Sequence, residues 1–205
     1  MERYVRRSAV GLCAFMIVWV TVIQTLLELD LLRSVFPSGI SPLTTDLVEK
    51  FFPHSAVRVT HHLGAVLWSS TAIMQLNASL RKRSPSVHRA SGYVFFLSCG
   101  LLTAGFFIID QRQLHAKNIW MPDTDDAHPF LERLPLHAIM AWFVITALLA
   151  WYQAAIRRDF KAHQRFMYRH LAAGLWVAVQ RILYSLALPA LKHKAGLGLP
   201  LEPPG

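Results

Sequence analysis

Long apolar blocks alternate with short charged stretches along the whole chain. Block one runs from about Ser8 to Leu27. Block two runs from about His61 to Leu80, with room to begin a turn or two earlier after Pro53. Block three spans about Ala90 to Ile109, block four about Leu136 to Ile156, and block five about Phe166 to Leu188, stopping near Pro189. A helix needs roughly 20 apolar residues to cross the hydrocarbon core of a bilayer, and these blocks meet that length. The pattern predicts an all-α integral membrane helical bundle of five transmembrane helices, a four-helix core plus an N-terminal helix. Residues 1–190 then form one domain, and the Gly- and Pro-rich stretch 191–205 reads as a disordered tail.

The first block follows Arg3, Arg6 and Arg7, as a signal peptide's apolar region follows its basic start. It is long for a signal peptide, and no small-residue cleavage site follows, so it is expected to stay as the first helix.

Loop charges orient the bundle. Between blocks one and two, Arg33, Lys50 and Arg58 are outnumbered by Glu28, Asp30, Asp46 and Glu49. Between two and three come Arg81, Lys82, Arg83 and Arg89 with no acid. Between three and four the loop is acidic, with Asp110, Asp123, Asp125, Asp126 and Glu132. Between four and five stand Arg157, Arg158, Lys161 and Arg165 against Asp159 alone. Basic loops stay in the cytoplasm, so the N-terminus is expected inside and the C-terminus outside.

Composition adds a net charge of +9. The basic residues sit at the ends of apolar blocks, where lipid headgroups meet them, and no basic-aromatic recognition motif is present. The charge therefore points to a lipid bilayer and away from nucleic acid. Cys13 and Cys99 lie inside separate apolar blocks and read as buried thiols, not as a disulfide framework.

Ionisable groups near hydrocarbon are costly and usually face the bundle interior. Here they are mostly histidines. His61 and His62 lie near the outer end of helix two, and His137 opens helix four at the outer side. His88 opens helix three at the inner side, and His163 and His170 lie near the inner end of helix five. Alternate helices of an antiparallel four-helix bundle face each other. An outer pair (His61 or His62 with His137) and an inner pair (His88 with His163 or His170) could each clamp a haem iron. At about 100° per residue, His163 and Arg181, 18 residues apart, share a face of helix five, with His170 about 20° away. Arg181 needs an anionic partner, for which a haem propionate, a lipid phosphate or Asp110 would serve. His61 and Gln75 fall within about 40° of each other on helix two, which favours His61 as the inward residue. The plainer reading is that end-of-helix histidines bond headgroups, water or carbonyls.

Other chemistry finds little support. The outer loop Asp123–His128 (DTDDAH) lacks EF-hand spacing and reads as a solvated acidic loop. No nucleophile elbow, phosphate loop or HExxH is present. The Asn77 sequon falls at the inner end of a helix, where glycosylation is not expected.

Two stretches carry a family resemblance: HHLGAVLWSSTAIMQLNASLRKRSPSVHRASGY from His61 to Tyr93, and IRRDFKAHQRFMYRHLAAGLWVAVQRIL from Ile156 to Leu183. Together they resemble the membrane-protein family known as domain of unknown function 2306. The matching positions are His61, Gln75, Arg81, His88, Arg89, Gly92, Tyr93, Asp159, His163, Arg165, Met167, Arg169 and Arg181. Phe166 replaces a tryptophan of the pattern, His170 replaces a small polar residue, and His137 lies outside it. The resemblance implies a membrane protein and no particular reaction. A second likeness is topological only: cytochrome b561 proteins place histidine pairs on alternate helices of a four-helix core, with one haem per leaflet.

The expectation is then a b561-like transmembrane electron carrier. His61 or His62 with His137 would hold an outer haem b, and His88 with His163 or His170 an inner one. Arg181 would neutralise a propionate. Arg81, Lys82, Arg83, Arg89 and Arg165 would attract an anionic electron donor or inner propionates; a quinone is the other partner considered. The rival is a non-enzymatic membrane protein without cofactor, such as a small transporter, a lipid-binding protein or an assembly subunit. In it, the polar stripe of helix five hydrogen-bonds to its neighbours around Gln75.

Overall fold

The structure, a computed structural model, describes residues 2–23, 51, 53–114 and 129–194. The acidic loop at 123–128 and the tail from 195 onward lie outside the described residues. Helix α1 is Glu2–Val18 and continues as a π-helical turn, Trp19–Ile23. Helix α2 begins as Ser55–Val57, passes through a π-helical stretch, Arg58–Leu63, and becomes regular over Gly64–Leu76. A short helix α3, Ala78–Arg83, leads into α4, Pro85–Gln111. Helix α5, Pro129–Tyr152, ends in a π turn, Gln153–Arg157. Helix α6 is Phe160–Lys194.

The five long helices close into a ring. Each packs on two neighbours in the order α1, α2, α4, α5, α6, with α6 returning to α1. The N-terminal helix packs on α2 and α6, and its Ala9 and Cys13 join the central apolar cluster. Three of the described helices are long and apolar enough to cross a membrane: Tyr4–Val22, Pro85–Gln111 and Arg133–Arg157. The sequence expectation was five. Helix α2 reaches comparable length only by joining its π stretch to a 13-residue α segment, and α6 carries Lys161, Arg165, Arg169 and Arg181 along its length.

Large apolar side chains cover the outside of the bundle as well as its core, and several hydroxyls are buried. Leu97, Trp142, Ile145, Leu148 and Trp176 are exposed on the outer surface, whereas Ser69, Thr71, Ser91, Ser98 and Thr146 are buried. Lipid is as apolar as leucine, so packing between membrane helices favours small and hydroxylated residues. The hydroxyls remain satisfied within their own helices: Thr71 donates to the Leu67 carbonyl at 2.6 Å, Ser98 to Phe95 at 2.7 Å and Thr146 to Trp142 at 2.7 Å.

Two boundaries differ from the hydropathy pattern. Block two ends at Asn77, whose extended backbone breaks the helix and whose side-chain oxygen accepts from the Ser79 and Leu80 amides, starting α3. Helix α6 continues past Pro189 to Lys194. A proline there removes one backbone hydrogen bond, a loss that helices at membrane depth tolerate.

Candidate functional site

The basic end of the bundle holds a cavity of about 780 Å³ that is open to the outside. It is bounded by Arg6 from α1, Gln75 and Leu76 from α2, Arg81 from α3, and His88, Arg89, Gly92, Tyr93 and Phe96 from α4. Trp151 and Ala154 close it from α5 and the following turn. Arg158, Lys161, His163, Gln164, Met167, Tyr168 and Leu171 complete the wall. Five of these residues are arginine or lysine, and none is acidic. Apolar and aromatic walls topped by cations make an amphipathic chamber, the usual form of a small-molecule site.

Local structure places these groups. Gln75, near the end of α2, donates from Nε2 to the His88 carbonyl at 2.7 Å and to Ser91 Oγ at 2.6 Å, while Ser91 donates to the same carbonyl at 3.0 Å. This network ties α2 to the first turns of α4 and fixes where His88 leaves its helix. Asp159 caps α6: its Oδ1 accepts from the Lys161 amide at 3.1 Å and the Ala162 amide at 2.9 Å. The cap sets the position of Lys161 and His163. His163 donates from Nδ1 to the Ala150 carbonyl at 2.8 Å, leaving Nε2 as the nitrogen open to a ligand. His88 Nδ1 is buried without a hydrogen-bond partner. His88 and His163 both line the cavity and lie within electrostatic reach of each other. His88 and His163, expected as an inner pair, thus border the same cavity.

His170 sits elsewhere. It is fully buried in an aromatic cage of Trp68, Phe95 and Phe143, whose rings lie 5.8, 5.4 and 4.2 Å from its own. Its Nδ1–H donates to the Phe143 carbonyl at 2.9 Å. Its Nε2 accepts the Trp68 indole N–H at 3.0 Å and lies 3.3 Å from Cys99 Sγ. Both nitrogens are thus occupied by protein groups. His170 joins α2, α4, α5 and α6 at one point, which is the work of a core histidine.

At the opposite end, His61 and His62 lie in the π-helical stretch of α2 with ring centres 6.1 Å apart, and both approach Phe51. His61 Nδ1 and His62 Nε2 are buried without a hydrogen-bond partner. Gly105 of α4 allows this approach, since a Cβ there would sit 3.0 Å from His61 Cβ. Arg181 is within electrostatic reach of His61. His137 is engaged differently: Nδ1–H donates to the Arg133 carbonyl at 2.9 Å, and Nε2 lies 3.3 Å from Asp110, which Arg133 also approaches at 3.7 Å. Asp110, one of three partners expected to serve Arg181, is approached by Arg133 and His137. Arg165 lies exposed on α6 and is not part of the cavity wall. Among the described residues, no group of three or more His, Cys, Asp or Glu side chains could hold a metal ion.

Sequence reasoning missed Arg158 and Trp151 as cavity residues. Arg158 follows the π turn in a left-handed conformation, φ 55°, and no periodicity rule places a residue in that setting.

These helices, with apolar exteriors and hydroxyls inside, define a polytopic helical membrane protein. The family model described as predicted membrane protein (DUF2306) matches residues 58–196, and the chain belongs to that family. Comparison with curated proteins and with solved structures finds no match.

Proposed function

We propose that the chain is a membrane protein that binds an amphiphilic anion in the basic-end cavity. Its charged head would lie among Arg81, Arg89, Arg158 and Lys161, and its apolar body against Phe96, Trp151, Met167 and Leu171. One observation carries this reading: a chamber of about 780 Å³ with cations and no carboxylate in its wall. Arg81, Arg89, Arg158 and Lys161 are exposed at the cavity's rim, where they would meet an anionic head at the headgroup level while the apolar body enters below. The loop charges would place the cavity at the cytoplasmic leaflet. A lipid is the commonest amphiphilic anion there, which makes this a lipid-binding rather than a catalytic protein. The test is native mass spectrometry of the detergent-purified protein. Retained anionic amphiphile that is lost on Arg81→Ala/Lys161→Ala supports the reading, and a protein carrying none, with no uptake of added anionic lipid, refutes it.

A second reading starts from His88 and His163 bordering one cavity. A haem b could be held there, with His163 oriented by its backbone hydrogen bond as metal-bound imidazoles usually are and the cations facing propionates. Bound haem would supply one-electron chemistry. His88 and His163, both on the cavity wall, are the residues that would hold one such group at the basic end. A second haem at the other end fits poorly, because both nitrogens of His137 are engaged, so a b561-like relay across the membrane has the weaker support. An absorption spectrum before and after dithionite decides: sharp reduced α and β bands establish haem, and a colourless protein after expression with added haem removes it.

A further inference from the structure

The cavity wall holds more than positive charge, and the addition bears on which anion fits. Two imidazoles stand beside the cations. His163 Nδ1–H is committed to the Ala150 carbonyl at 2.8 Å, so a neutral ring presents Nε2 as a hydrogen-bond acceptor. His88 Nδ1 is buried with no partner, and buried polar atoms nearly always have one. The backbone of His88 is held by Gln75 at 2.7 Å, which keeps its ring at the cavity wall. The wall therefore combines donors that want charge with an acceptor that wants a proton.

Few anionic heads answer both. A carboxylate or a phosphodiester is acceptor-only near neutral pH. A phosphate monoester carries a charge of about −1.5 to −2, with a second pKa of about 6, and part of its population keeps an acidic O–H. It can accept from Arg81, Arg89, Arg158 and Lys161, and its remaining proton can pass to the free nitrogen of His163, which then donates back to the dianion. Arginine matches phosphate geometry in two-point contact, and the cations outnumber the charges on any monoanion. We infer that the cavity selects a phosphate monoester head, such as that of a phosphatidic-acid-type or prenyl-phosphate-type lipid, over phosphodiester and carboxylate heads. This rests on the anion-binding reading above.

The experiment titrates the full-length protein in detergent with short-chain phosphatidic acid, short-chain phosphatidylglycerol and inorganic phosphate. The signal is tryptophan fluorescence, with Trp151→Phe identifying the part that comes from the cavity wall. Phosphatidic acid should bind more tightly than phosphatidylglycerol by about tenfold or more, on the order of one good charge-assisted contact. His88→Gln and His163→Gln should bring the two lipids to similar affinity while leaving phosphatidylglycerol binding in place. Arg81→Ala should weaken both alike, a readout that survives if a histidine variant misfolds. Inorganic phosphate competing as well as phosphatidic acid would keep the phosphate monoester chemistry but make the free ion the ligand. Equal affinity for both lipids in the unmodified protein overturns the selectivity and leaves general anion binding standing. Binding of none of the three overturns both.

Discussion

The indole N–H of Trp68 donates to Nε2 of His170 across 3.0 Å, in a part of the bundle where neither side chain meets solvent. The bond fixes the tautomer, because the other nitrogen must then carry the proton it gives to the Phe143 carbonyl at 2.9 Å. Removing the ring by His170→Ala leaves the indole N–H unpartnered and opens a void among three aromatic rings. The expected loss is about 3–5 kcal/mol, read as a large drop in the unfolding midpoint in detergent. A variant that keeps its midpoint but loses a bound pigment would overturn the structural role and restore His170 as a ligand.

Gly174 of α6 faces the same indole. A Cβ at that position would lie 2.5 Å from Trp68 Cζ2 and 3.1 Å from Phe143 Cε2. Both neighbours are buried and packed, so Gly174→Ala should force α6 away from α2 at a cost of about 1–3 kcal/mol. Trp68→Phe removes the part of the indole that collides. The double variant should therefore be more stable than the sum of the single losses predicts. Simple additivity in thermal unfolding would show that the two helices do not meet at this glycine.

Much of this architecture was legible beforehand, and the reasons differ by residue. Each apolar block coincides with a long helix among the described residues, three of which are long and apolar enough to cross a membrane. Gln75, His88, Arg89 and His163 were marked by being polar at helix ends, and they do converge at the cavity. The choice between His61 and His62 was not legible. At about 100° per residue His61 would face inward, but both residues lie in a π-helical stretch with a different turn, and each buries an unpartnered nitrogen. His170 misled because a buried imidazole looks the same in sequence whether it holds a metal or a tryptophan. The place of α1 in the ring was hidden because its apolar residues could equally have faced lipid alone.

Asp159 is a small residue to test with a positional readout. Its carboxylate accepts from two amides at the start of α6. Asp159→Ala should cost about 0.5–2 kcal/mol of stability through the lost cap. It should also loosen Lys161 and His163, which line the cavity. Asp159→Asn keeps a side-chain acceptor and should recover most of the stability. Failure of asparagine to rescue would mean that the negative charge itself, set among the basic residues of that turn, was the stabilising element.

Arg158 sets stability against binding. It ends the π turn with φ 55° and ψ 25°, a left-handed conformation that costs a non-glycine residue roughly 1–2 kcal/mol. Helices commonly stop with glycine at such a point, yet this one stops with a cation in a cavity wall. Strained backbone carrying a charged side chain into a pocket is the pattern expected when the side chain matters more than the fold. Arg158→Gly should relieve the strain and raise the unfolding midpoint, by about 1 kcal/mol. The same change should weaken binding of an anionic lipid severalfold, since one of the cations facing the head is gone. Arg158→Lys separates the two effects: it keeps the charge and the strain, so the midpoint should stay and most binding with it. Should glycine raise stability without touching anion affinity, Arg158 is a surface residue beside the cavity, and the head must be held by Arg81, Arg89 and Lys161 alone.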